Sequence, residues 1–223
     1  MIALGLFKDQ AEIDASPLQT FGEVLPGDIK YKDVDGNGKI DEYDVVPIGY
    51  TTVPGFVYGF GASAIWKNFD FNVLFQGSGN CDFFIGGTGV YPFSAGEYGN
   101  VLKCVSDSKD RWIPREISGT PDTENPNAQF PRLTYGNNLN NNRASSFWLR
   151  NSRYLRLKNV EIGYNLPSRW TRKLRMENAR FYVLGNNLLV FDKLKWWDPE
   201  LASGNGAKYP ISRTVTIGLS VNF

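Results

Sequence analysis

Apolar and polar residues alternate without a break from Thr214 to Phe223. Val215, Ile217, Leu219, Val221 and Phe223 share one side, and Thr214, Thr216, Gly218, Ser220 and Asn222 share the other. Period-two alternation predicts a β-strand with one apolar face. The length also suits a tilted strand crossing a bilayer, which takes about 9–11 residues. The same pattern recurs upstream. Phe56 to Trp66 aligns Phe56, Tyr58, Phe60, Ala62, Ala64 and Trp66 against Gly59, Gly61 and Ser63, with Ile65 as the exception. Phe69 to Gln76 aligns Phe69, Phe71, Val73 and Phe75, and only Lys67-Asn68 separates these two runs, which is a hairpin-length connection. Tyr154 to Tyr164 alternates but slips phase between Leu157 and Val160, which predicts a bulge. Ala179 to Asn187 sets Phe181, Val183 and Gly185 opposite Arg180, Tyr182 and Leu184. Pro167 to Leu174 predicts a short helix capped by Ser168, and Met1 to Phe7 reads as the end of a sixth strand.

The connections are unequal. Asp9 to Gly55, Gly77 to Arg153 and Leu188 to Ser212 are long; Lys67-Asn68 is minimal, and Leu166 to Asn178 is moderate. Structureless loops of that length are unusual inside a compact soluble domain. Short turns at one rim and long loops at the other are the pattern of outer-membrane barrels. An antiparallel sandwich alternates in the same way. The pattern therefore leaves two all-β readings, a transmembrane β-barrel and a soluble sandwich. What separates them is whether the apolar strand faces meet lipid or a protein core.

Composition narrows the chemistry. The chain has no histidine, which removes Ser-His-Asp and Cys-His nucleophile systems and histidine zinc sites, and it is read as no enzyme. Lys plus Arg number 24 against 23 Asp plus Glu, so the net charge of +1 argues against a nucleic-acid binder. Aromatic residues make up 14% and glycines number 23, which favours strands and turns over helices. No apolar run reaches the roughly 18 residues of a membrane helix. Met1 to Phe7 has no basic stretch of a signal peptide, which points to a cytosolic protein or to a fragment of a longer one. Cys81 and Cys104 fit no metal spacing; they would pair in an oxidising compartment and stay free in the cytosol.

The sharpest local motif runs from Asp33 to Asp44. A twelve-residue calcium loop supplies oxygens from positions 1, 3, 5, 7, 9 and 12, with glycine at 6. Here those positions hold Asp33, Asp35, Asn37, the Lys39 carbonyl, Asp41 and Asp44, and Gly38 takes the glycine place. Ca2+ is a hard cation that takes such oxygens, so these residues are the predicted metal ligands. Pro26-Gly27 before the loop and Pro47 after it do not belong to a helical calcium-sensor pair, so the predicted role is to brace a loop.

Several stretches in order carry a family resemblance. Gly27-Asp28-Ile29-Lys30-Tyr31 leads into the Asp/Gly/Asn loop, and Ile48-Gly49, Pro54 and Tyr58-Gly59-Phe60 follow it. Then come Phe69-Asp70-Phe71, Phe75-Gln76-Gly77, Tyr154-Leu155-Arg156-Leu157-Lys158-Asn159-Val160 and Gly163-Tyr164-Asn165-Leu166-Pro167. Gly185-Asn186-Asn187-Leu188, Asp198-Pro199-Glu200, Tyr209-Pro210 and the terminal strand complete it. Nearly the whole chain, residues 1–223, resembles the carboxy-terminal part of a SusC/RagA-type TonB-dependent outer-membrane transporter. The resemblance implies the last antiparallel strands of a large barrel of about 22 strands, with long extracellular loops. It implies that the plug and the TonB-contacting segment lie outside this chain. It also implies import of glycans or peptides across the bacterial outer membrane, energised by TonB and assisted by a SusD-like lipoprotein. The alternative is a secreted, soluble, calcium-braced sandwich that binds carbohydrate.

Under the family reading Trp112, Trp148, Trp196 and Trp197 fall in extracellular loops, where an aromatic face can stack on a sugar ring; the competing role for each is packing. Asp198 and Glu200 flank Pro199, but adjacency in sequence does not create the geometry of a glycosidase pair. Arg169, Arg172, Lys173 and Arg175 are read as a solvated periplasmic turn.

Overall fold

The structure, a computed structural model, describes residues 1–98, 101–106 and 109–223. In chain order the elements are β1 (Ala3–Leu6), α1 (Gln10–Asp14), β2 (Leu18–Gln19), β3 (Ile29–Tyr31), β4 (Lys39–Ile40), β5 (Phe56–Trp66) and β6 (Phe69–Gly79). They continue with β7 (Asp82–Phe84), α2 (Arg115–Ser118), β8 (Leu149–Asn151), β9 (Tyr154–Asn165), α3 (Ser168–Thr171), β10 (Asn178–Asp192) and β11 (Thr214–Asn222). The chain forms two compact units. One comprises Met1–Tyr50, Phe83–Arg150 and Ser203–Ala207; the other comprises Thr51–Asp82, Asn151–Ala202 and Lys208–Phe223.

The second unit is built on a five-stranded antiparallel sheet in the order β11-β10-β9-β6-β5. All five predicted strands are in it. Register stacks Ala64, Phe71, Ile162, Val183 and Ile217 in one row, and Trp66, Phe69, Tyr164, Phe181 and Leu219 in the next. Because strand side chains alternate, these aligned apolar residues fall on one face, while Ile65, Leu74 and Leu184 share the other with polar partners. The other face carries Asp70, Asn72, Gln76, Arg156, Glu161, Arg180, Thr216 and Ser220. The apolar face is uncovered: Ile217 is 79% exposed and Phe181 50%. A sandwich needs a second sheet on that face, and among the described residues none lies there.

The phase slip in β9 is a bulge. Phe75 and Leu74 of β6 pair with Leu157 and Asn159, leaving Lys158 unpaired, and the β10 register shifts at the same place. β10 runs past its predicted end: Asn187 adopts φ 53°, and pairing resumes from Leu189 to Asp192. Ser168 is the first residue of α3 and not its cap. Pro167 holds the cap position, where no side chain bonds the helix.

The first unit corrects the reading of the long connections. Met1 to Phe7 does not join the large sheet. Its β1 pairs with β3, with Ala3 opposite Tyr31 and Leu6 opposite Ile29. Met1, Leu6 and Phe7 are buried there with Ile29, Tyr31, Ile40, Phe130 and Trp148. The Asn137–Asn142 run is buried polar core at its centre. Asn141 Nδ2 donates to Asp28 Oδ1 at 2.7 Å and Asn141 Oδ1 accepts from the Ile29 N–H at 2.9 Å. Asn140 Oδ1 accepts from Gln19 Nε2 at 2.8 Å, and its carbonyl accepts from the Tyr31 hydroxyl at 2.8 Å. Asp28, fully buried, is paired by Arg132 Nε at 2.8 Å. Buried polar groups persist only when bonded, and these bonds tie β3 to a segment more than 100 residues away.

Candidate functional site

The predicted calcium loop folds as a series of side-chain-to-backbone turns. Asp33 Oδ1 accepts from the Gly36 N–H at 2.7 Å, and its Oδ2 accepts from the Gly38 N–H at 2.8 Å. Gly38 sits at φ +80°, a left-handed conformation that glycine adopts without Cβ cost. β4 follows, with Lys39 opposite Leu18, and buries Ile40. A turn of 3₁₀ helix over Glu42–Asp44 then swings Asp44 back under the loop. Asp44, fully buried, accepts from the Val34 N–H at 2.6 Å and from the Asp41 N–H at 2.9 Å. The Val34 bond is the chief reason its carboxyl lies below the usual range; the Asp41 bond adds to this, while burial opposes it.

One carboxylate oxygen from each of Asp33, Asp35 and Asp44 lies within 4.8 Å of the others. This convergence offers hard oxygen ligands of the kind calcium takes. Asn37 Oδ1 accepts from the Lys39 N–H at 2.8 Å, and Asp41 Oδ1 accepts from the Tyr43 N–H at 2.8 Å. Asp41 is not among the carboxylates that converge, and Asn37 stays beside Asp35, its Nδ2 donating to Asp35 Oδ2 at 2.9 Å.

The four tryptophans divide. Trp148 is wholly buried, packed against Tyr91 at 5.1 Å between ring centroids, with Nε1 donating to the Asn141 carbonyl at 2.6 Å. Trp112 is 4% exposed and lies against Gly27, where an added Cβ would come within 2.3 Å of the indole. Neither offers a free ring face, so as sugar-stacking residues these two are corrected to core. Trp196 and Trp197, ring centroids 5.8 Å apart, are half-buried and line a groove of about 430 Å³ with Arg156, Asp198, Ile211 and Arg213.

Arg156 belongs to the polar sheet face and is 2% exposed. It pairs with Asp198 at 2.5 Å and Glu200 at 3.1 Å, so the Asp-Pro-Glu segment is clamped onto β9. A second polar cluster sits further along the same face. Arg180 Nε donates to Asp70 Oδ2 at 3.0 Å, its Nη2 reaches both Asp70 and Glu161, and Asn165 Nδ2 donates to Asp70 at 3.0 Å. A Cβ on Gly163 would lie 2.4 Å from Arg180 Nη2, so the bare backbone admits the cluster. These three-strand contacts were missed because they depend on register; the signal available was a charged residue at alternate positions of an otherwise apolar strand. Cys81 and Cys104 are free thiols; Cys81 is buried, and burial pushes the Cys104 thiol up.

No family model matches the chain. It is 32% identical over 99% of its length to TonB-dependent receptor P26 of Formosa agariphila, covering 22% of that protein. To TonB-dependent receptor SusC of Bacteroides thetaiotaomicron it is 26% identical over 86% of its length, covering 17%. The chain thus spans about a fifth of the curated relatives it matches. All of it superposes on part of the structure of the RagAB peptide importer in the open-open state, with a TM-score of 0.66, 22% identity and 22% of that chain covered. These relatives are named as receptors and an importer, not as enzymes.

Proposed function

The chain belongs to the SusC/RagA-type TonB-dependent receptors, and from that premise we propose that it forms the carboxy-terminal wall and surface loops of an outer-membrane importer of glycans or peptides. The observation that carries this reading is the two-faced sheet. A continuous apolar face across five registered strands is left uncovered, and ion pairs and amides line the reverse. Lipid satisfies the first face, and a water-filled lumen satisfies the second. Of the sequence-predicted aromatic contacts, Trp196 and Trp197 remain as candidates to meet substrate. A SusD-like lipoprotein and TonB are the partners of the whole receptor in this reading. The Asp33–Asp44 loop binds Ca2+ and braces the first unit, supported by the convergence of Asp33, Asp35 and Asp44.

Solvent labelling of the parent receptor in outer membranes tests the wall. Thr216→Cys is expected to react with a water-soluble maleimide and Ile217→Cys to stay protected until the membrane is dissolved; equal reactivity of both rejects a lipid-facing sheet. Calcium titration of the parent receptor tests the loop. A double variant, Asp33→Ala with Asp35→Ala, is expected to lose one bound ion, and unchanged binding removes the assignment.

A further inference from the structure

Both short connections of the five-stranded sheet share one rim. The Asn165 N–H donates to the Asn68 carbonyl at 2.8 Å, and the Glu177 N–H donates to the Asn222 carbonyl at 2.8 Å. The Lys67-Asn68 turn, residues 166–177 and the end of β11 therefore lie side by side. Residues 166–177 wind through α3 and a 3₁₀ turn, Arg172–Leu174, over buried Thr171. Arg175 closes the turn at φ 57°. This winding leaves Arg169, Arg172, Lys173 and Arg175 exposed, with Lys67 exposed beside them. Among the described residues none of these five cations makes an ion pair. Glu177 is the exposed acidic side chain here, and Asp70 behind the rim is committed to Arg180.

The patch is also apolar at its base. Trp66 is 67% exposed, Trp170 53% and Leu174 64%. Trp66 ends the apolar sheet face, and Lys67 Nζ stands 5.0 Å above its ring. Tryptophan prefers the level of lipid headgroups, and cations just beyond that level meet phosphate. Crowding like charges on one short turn is self-repulsive unless an anionic partner compensates. A merely solvated turn requires neither the single sign nor the exposed indoles.

We propose that this rim is a docking surface for anionic phospholipid headgroups of the leaflet that faces the short turns. Lys67, Arg169, Arg172, Lys173 and Arg175 take the phosphates, and Trp66, Trp170 and Leu174 lie at the acyl boundary. The proposal rests on the barrel reading for its placement in a membrane; what it adds is a lipid preference.

The test uses the parent receptor in nanodiscs of phosphatidylcholine alone or with about 30% phosphatidylglycerol. The wild type is compared with an R169Q/R172Q/K173Q/R175Q variant by native mass spectrometry of retained lipid and by melting temperature. Each cation near an anionic surface contributes about a fivefold preference, so the variant is expected to lose phosphatidylglycerol retention by about tenfold or more. The wild type is expected to melt higher with phosphatidylglycerol than without it, and that gain should vanish in the variant and shrink at high salt. Equal retention in both proteins overturns the proposal, as does full stabilisation of the wild type by inorganic phosphate alone. If the quadruple variant melts abnormally in phosphatidylcholine, a K67Q/K173Q pair replaces it under the same criteria. A receptor that inserts in both bilayers with no lipid preference rejects the rim and leaves the barrel standing. One that inserts in neither rejects both.

Discussion

Asp44 and Asp28 show how single buried carboxylates hold the first unit. The Asp44 carboxyl is depressed chiefly by the Val34 N–H, so its ionised form is favoured by the fold. Its contribution is complete above the unfolded value of about 3.9 and is lost as pH falls through the lower folded value. Melting curves of the parent receptor between neutral and acid pH are expected to show that loss only below about pH 4, and Asp44→Asn should remove it while lowering stability at neutral pH. Asp28 accepts from Arg132, from Asn141 and from the Leu25 N–H. Asp28→Ala strands all three, and breaking a buried ion pair costs about 3–5 kcal/mol. A chemical-denaturation midpoint within error of wild type would contradict that role. Asp44 was legible as the last position of the calcium motif, but the network around Asp28 was not. Asn137–Asn142 read as loop because asparagine carries no hydrophobic period, and its partners Gln19, Asp28 and Ile29 are supplied by tertiary contact. Trp112 and Trp148 were placed outside for the same reason: position in a long connection says nothing of burial.

At the level of elements, the five sheet strands were legible because side-chain alternation is dictated by the backbone pleat, independent of neighbours. Where the pleat is broken the reading was mixed. The β9 slip showed itself as a phase change, whereas the strand was followed only to Asn187 and the last part of β10 was read as the start of a long connection. The bulge at Lys158 sets which side Arg156 takes. Inserting one residue after Lys158, with the bulge still holding a single extra residue, would move Lys158 opposite Phe75 and carry Arg156 off the polar face, away from Asp198 and Glu200. Assembly of the parent receptor, followed by its heat-modifiable mobility on gels, is expected to fail; normal assembly would show that the register tolerates the slip. Faces can also be compared directly. Ile217→Arg is expected to cost about 2–4 kcal/mol on a lipid face, while Thr216→Arg, one residue away on the polar face, should cost little. Similar losses for the two in refolding titrations into lipid would deny the asymmetry.

For the whole chain, the two units differ in what they lack. The first has a buried core of Phe7, Ile29, Tyr31, Phe130 and Trp148, closed by a bonded polar network. Among the described residues the sheet of the second has no comparable core, and β5 and β11 each pair on one side only. Unpaired strand edges template association in water. In hydrocarbon each unsatisfied backbone group costs several kcal/mol, so an open sheet does not span a bilayer. In water Phe69, Phe71, Val215, Ile217 and Leu219 stand exposed on one continuous face, the kind of patch that drives aggregation. Both problems end when further strands close the sheet into a barrel, since closure pairs the edges and turns the apolar face to lipid. Residues 1–223 expressed alone are therefore expected to aggregate without detergent and to confer no uptake, even though the first unit can bury its own core. Size-exclusion chromatography with chemical denaturation decides the matter. A monodisperse monomer that unfolds cooperatively in plain buffer would mean that the exposed face finds cover within the chain, and the wall of a barrel would no longer describe this sheet.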